Sequence, residues 1–196
     1  MHDPRSAHGY GLAYGVSPRG ACHEASLTFE VEGGAMYIPE IPELAVDLPE
    51  GSLGRAKLNV AAQDYGMFFS NCAIFCNLGG SPLDATRALA MLNHVTGFDY
   101  TLDELMETGR RVWYLKRGFS NLFGATASED RLPARLMTPM REGPTKGSVP
   151  DMGLMLKEFY ELRGLDTNGV PREKVLHALG LGPLADLLHG KQKAAA

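Results

Sequence analysis

The sequence predicts a mostly α-helical domain preceded by a loop-rich N-terminal segment. From Leu53 onward apolar residues recur at helical spacing between cap and glycine signals, whereas residues 1–52 are dense in Pro and Gly and hold only short apolar patches. With 196 residues, 44% of them hydrophobic, the chain is long enough to bury a substantial core. The expected organisation is a loop-rich segment at 1–52, a helical domain at 53–190 and a tail at 191–196.

In the first segment "GYGLAYG" reads as one short helix and "SLTFEVE" as a patch that could be extended, although no partner strand is nearby. The next segment, "GRAKLNVAAQDYGMFFSNCAIF", places Leu58, Ala61, Ala62, Tyr65, Phe68, Phe69 and Cys72 at helical spacing and predicts a buried helix ending near Phe75. In "SPLDATRALAMLNHVTG" Ser81 reads as the N-cap, Pro82 as the first helical residue and Gly97 as the stop. Thr101 and Glu104 have the spacing of a capping box, and Leu102, Leu105, Met106, Val112, Trp113, Leu115, Phe119 and Leu122 give the helix after them a broad apolar face. Two more helices are expected at 151–164 and 171–180, with "DTNG" as a turn between them. An EF-hand is excluded because its twelfth position falls on His177, not on a glutamate. Residues 131–149 read as a long connecting loop, and Arg110 with Arg111 as a solvated helix face.

A net charge of −4 without a Lys/Arg stripe argues against nucleic acid, and no apolar run reaches the roughly 20 residues of a membrane span. The chain reads as cytoplasmic. Its three cysteines, at 22, 72 and 76, do not have the pattern of a disulfide scaffold. Cys72 and Cys76 stand one helical turn apart, a spacing that suits either two metal ligands or two small core residues, with the core reading favoured on pattern alone. If the helix ends near Cys76, the "CNLGG" after it favours Cys76 as the ligand, because glycines let the backbone approach a bulky group. The loop "SPRGACH" offers Arg19 as an anion clamp and His23 as a proton carrier.

Taken in order, "HDPRSAHGYGLAYGVSPRGACH", "QDYGMFFSNCAIFC", "LPARLMTPMREGPTKG" and "MLKEFYELRGLDTNGVPREKVLHALGL" resemble the C-terminal part of the aldehyde:ferredoxin oxidoreductase family. The resemblance runs from His2 to about Leu181 and covers the end of the family's second domain plus its third, so the fold class becomes a helical domain of that C-terminal type. It implies an enzyme with a tungsten (or molybdenum) bis-pterin and a 4Fe-4S cluster that oxidises aldehydes to carboxylates. The family takes its fourth cluster cysteine from a D-x-x-G-L-C segment, whose place "NCAIFC" occupies. Cys76 then matches the cluster ligand and Cys72 a non-ligand position. Asn71 stands where the family has a pterin-holding aspartate, and Ile74 replaces its glycine. Arg19 and Asn77 join Asn71 as expected cofactor-binding residues, and His23 matches the histidine that moves protons at the substrate oxygen. The implied partners are the N-terminal polypeptide of the same enzyme, ferredoxin or another electron carrier, and a small aldehyde. With no C-x2-C-x3-C in the chain, a subunit or fragment inactive alone, and holding no cofactor alone, is expected. A part of an aromatic acyl-CoA reductase of the same family and a metal-free helical interaction module are the alternatives.

Overall fold

Helical hydrogen bonding dominates the computed structural model, which describes residues 2–23, 26–45, 48, 50–77 and 83–190. Among the described residues the α-helices are α1 (His8–Gly15), α2 (Thr28–Glu32), α3 (Arg55–Gly66), α4 (Ala85–Thr96), α5 (Leu102–Leu122), α6 (Met152–Arg163), α7 (Glu173–Ala178) and α8 (Gly182–Leu188). Among the described residues there is no strand, only isolated bridges between Met140 and Lys146 and between Leu165 and Pro171. No described helix is long and apolar enough to cross a membrane.

By propensity α1 is a poor helix, since "HGYGLAYG" contains Gly9, Gly11 and Gly15 and each glycine costs about 1 kcal/mol against alanine. Tertiary contacts override that cost. Tyr10, Leu12 and Val16 are fully buried in the same apolar cluster as Trp113, Met155 and Phe159. A Cβ on Gly15 would lie 2.9 Å from the terminal methyl of Met152, which would have to shift to admit it. The first amides of α1, Gly9 N and Tyr10 N, donate to the Glu32 carboxylate at 3.1 and 3.0 Å, and Arg55 pairs with the same carboxylate at 2.9 Å. One buried acid thus ties α1, α2 and α3 together.

"SLTFEVE" is helical, not extended. With no strand to pair with, its backbone groups are satisfied locally: Val31 N donates to Leu27 O and Gly33 N to Phe29 O, at 3.1 and 2.8 Å. α4 begins at Ala85 with Asp84 as its N-cap, because the Asp84 carboxylate accepts from Arg87 N at 2.7 Å; Ser81 and Pro82 lie outside the described residues. Gly97 ends that helix in the left-handed conformation, and the Thr101–Glu104 capping box opens α5.

α5 is the central helix. Trp113 and Tyr114 are in the core, and Gly109 packs so tightly on α3 that a Cβ there would overlap the Asp64 carbonyl. Arg110 is not simply a solvated residue: its Nε donates to Asp64 at 3.0 Å, while Arg111 Nε donates to Leu179 O at 2.9 Å. The buried Asp64 also accepts from Arg163 at 2.6 Å, and the Arg163 guanidinium stacks 4.2 Å above the Trp113 ring. Further along, Arg117 forms a fork with Asp130 at 2.7 and 2.8 Å, to which Tyr160 adds a bond at 2.5 Å. Arg117 Nε also donates to Gly169 O, docking the "DTNG" turn, in which Asp166 accepts from Asn168 N and Val170 N.

His8 joins α1 to the loop before α6 and to the residues before α3. Ser148 Oγ spends its proton on Arg5 O, so it accepts from His8 Nε2 at 2.8 Å. Ser52 Oγ accepts from Asp151 N and still has its own proton to give, and it meets His8 Nδ1 at 2.8 Å. A neutral imidazole protonated on Nε2 satisfies both contacts. Burial pushes the His8 pKa down, and the Arg55 charge adds to the shift.

Candidate functional site

After Gly66 the α3 chain widens into a π turn over Met67–Cys72, in which Ala73 N reaches back to Phe68 O at 2.9 Å. Such a turn accommodates one extra residue and is frequent at functional sites. The helix ends where the apolar pattern predicted, because Ile74 takes φ 59°, a left-handed conformation that a β-branched residue rarely adopts. That is the position where the sequence resemblance expects glycine. Beyond it Cys76 is exposed and Asn77 is buried, accepting a hydrogen bond from the Ser70 hydroxyl that closes the turn onto itself.

Cys72 and Cys76 are both exposed, so neither fills the core. The pattern misled because the π turn rotates the last residues of the segment away from the face that Phe68 and Phe69 bury. Desolvation still pushes the Cys72 thiol pKa up, with the Lys116 ammonium pulling the other way.

Lys116, which sequence reasoning did not single out, is the hub of the site. Its ammonium donates to Asn71 Oδ1, while Asn71 Nδ2 points to Gly66 O at 3.5 Å. Partial burial lowers the Lys116 pKa, the neighbouring Arg19 charge lowers it further, and Cys72 opposes the shift. The loop carrying Arg19 is held against α5 by Ser120 Oγ, which donates to Pro18 O at 2.9 Å. Arg19 itself is exposed and donates to Cys22 Sγ at 2.8 Å. His23 follows on the same loop, exposed, with its ring edge-on to His2 at 6.0 Å, and His2 in turn stacks on Phe29 at 3.9 Å.

The fold therefore gathers Arg19 and Asn71 around Lys116 and holds Asn77 to the same turn through Ser70. Cys76 is placed by chain connectivity, four residues after Cys72. Lys116 carries no signal of its own in the sequence, since a lysine on a long helix normally faces water; its neighbours come from segments 45 and 97 residues away. Among the described residues no three His, Cys, Asp or Glu side chains converge into a metal cage. A cleft of about 640 Å³ opens elsewhere, beside Asp64, Arg110, Tyr114, Arg163 and Leu179, and none of the candidate residues lines it.

A cluster ligand needs a reachable thiol, and Cys76 fits that need at one corner. The Asn71 oxygen already accepts from Lys116 and keeps a second lone pair, so a pterin N–H held there would share that oxygen with the lysine.

Comparison with known proteins adds an independent line. A family described as aldehyde ferredoxin oxidoreductase, domains 2 and 3, matches residues 1–181. The tungsten-containing aldehyde ferredoxin oxidoreductase of Pyrococcus horikoshii is 35% identical over 187 residues, covering 92% of this chain and 29% of the relative. That of Thermococcus kodakarensis is 33% identical over 178 residues, covering 88% of this chain and 28% of the relative. A Pyrococcus furiosus protein named aliphatic sulfonate oxidoreductase, WOR-like subunit, is 32% identical over 123 residues, 58% of this chain and 20% of its own. The chain thus spans less than a third of the length of the relatives it matches.

Proposed function

Because the chain belongs to the aldehyde ferredoxin oxidoreductase family, matching its domains 2 and 3, we propose that it is the C-terminal portion of a tungstopterin iron–sulfur enzyme. The complete enzyme oxidises an aldehyde, RCHO + H2O giving RCOO−, three protons and two electrons, and passes the electrons to ferredoxin or a similar carrier. The placement of Cys76 carries the reading: its thiol is exposed just past a π turn, at the position that the family resemblance assigns to a cluster ligand. Cys76 is the residue of this chain that would hold the cluster, which supplies one-electron transfer toward the carrier when bound. His23 is exposed on its loop and takes or gives a proton at the substrate oxygen. Arg19 and Lys116 supply positive charge beside the turn, favouring an anionic group near Asn71.

The test is production of the chain together with the polypeptide its genome encodes for the rest of the family's length, followed by iron and tungsten analysis and a dye-linked aldehyde assay. Cys76→Ser is expected to lower bound iron. His23→Ala is expected to keep the metals and lose turnover. A reconstituted pair without metal removes this reading and leaves a helical interaction module. The sulfonate-oxidoreductase relative makes a panel of oxidisable substrates, not one aldehyde, the right assay.

A further inference from the structure

The apolar stripe of α5 does not stay in the core along its whole length. Trp113 and Tyr114 are buried, but Leu115 is 47% exposed, Phe119 62%, Leu122 44% and Phe123 78%. Leu115, Phe119 and Leu122 recur at helical spacing on one face, and the Phe119 and Phe123 rings pack on each other at 4.7 Å, so they form one patch and not scattered residues. Two cations border it. Lys116 lies one turn before Ser120, to which the Arg19 loop is bonded, and among the described residues neither Lys116 nor Arg19 has a carboxylate partner.

We propose that this patch is the docking surface for the remaining polypeptide of the enzyme, and that the docking segment is apolar with at least one carboxylate. The proposal rests on the reading that the chain is part of a longer or split enzyme. Two observations favour that occupant. Relatives of which this chain covers 29% hold most of their length in other segments, which are available to cover the equivalent surface. A second copy of this chain fits worse, because a two-fold contact through the patch would bring Lys116 and Arg19 of both copies together with no acid between them. An acidic, apolar segment instead buries the phenylalanines and neutralises the two cations. The same contact would bring that segment beside Asn71 and the turn leading to Cys76, because Lys116 bonds Asn71 directly.

The experiment co-produces the tagged chain with the genome's polypeptide for the rest of the family's length and measures recovery and stoichiometry by affinity capture and light scattering. The expected wild-type result is a one-to-one complex. Phe119→Asp/Phe123→Asp is expected to lower recovery at least tenfold, Lys116→Glu less and in a salt-dependent way, and Met91→Asp/Val95→Asp on the exposed face of α4 not at all. Circular dichroism of each variant alone shows whether it remains folded; both positions are already exposed, so native helicity is expected. A complex insensitive to the phenylalanine substitutions overturns the patch but leaves the function standing. Absence of any complex, or of any such polypeptide, overturns both. A wild-type homodimer broken by Phe119→Asp/Phe123→Asp assigns the patch to a second copy and overturns the proposal.

Discussion

Two charged regions meet at α5, and they are built on opposite rules. On the inner side Asp64 is buried between Arg163 and Arg110, and Arg117 is buried against Asp130, Tyr160 and Gly169 O. Every one of those cations faces a carboxylate. On the outer side Lys116 and Arg19 border exposed phenylalanines and a π turn, and the partners they do have are an amide oxygen and a thiol. Burial explains the difference for Arg163 and Arg117, because a charge removed from water needs a counter-charge; Arg110 is half exposed and pairs because Asp64 is buried. Arg19 is exposed and Lys116 only partly buried, and neither faces a carboxylate among the described residues.

Removing Asp64 is the most severe way to test the inner rule. Asp64→Ala leaves Arg163 buried without a counter-ion and is expected to cost about 3–5 kcal/mol, read as a large fall in the urea midpoint. An Asp64→Ala variant as stable as wild type would mean the pair does not hold the fold.

The next effect is a dependence on pH at His8, which belongs to the structural side of the comparison. Its folded pKa is lowered, so the unfolded chain binds the proton more tightly. Stability is therefore full above the ordinary histidine value of about 6.5 and declines as pH falls below it. Glu32 titrates with the opposite sign, since burial pushes its carboxyl pKa up against the pull of Arg55 and the Gly9 and Tyr10 amides. Comparing wild type with His8→Gln between pH 5 and 8, the titration window of histidine, isolates the His8 contribution. An unchanged slope in the variant would assign the dependence to other groups.

A smaller effect of the other sign is expected at the outer turn. Ile74→Gly removes the left-handed strain and should raise stability by about 1 kcal/mol, after the added flexibility of the unfolded chain is subtracted. A loss of stability there would show that the 76% exposed isoleucine makes contacts that outweigh its strain. The smallest effect belongs to Cys76→Ala, expected to shift the stability of the isolated chain by no more than about 0.5 kcal/mol because the residue is exposed. Set beside Asp64→Ala, that near-neutral result would separate a residue kept for chemistry from one kept for folding.

The sequence by itself determined the helical class, the capping box of α5, the glycine stops at 97, 164 and 180 and the "DTNG" turn, because each depends on contacts within a few residues. It also carried the family, through motifs in order along the chain. Only the tertiary structure decided that a glycine-rich segment is a core helix, that "TFEVE" coils, that Arg110 is paired and that Leu115, Phe119 and Leu122 face outward. The same holds for the site: Cys76 and Asn71 were legible as a local motif, but Lys116 was not. Helical periodicity fixes which residues share a face, not what that face meets. Meeting is settled by packing between segments far apart in the chain, where Lys116 reaches Asn71 and the Arg19 loop leans on Ser120.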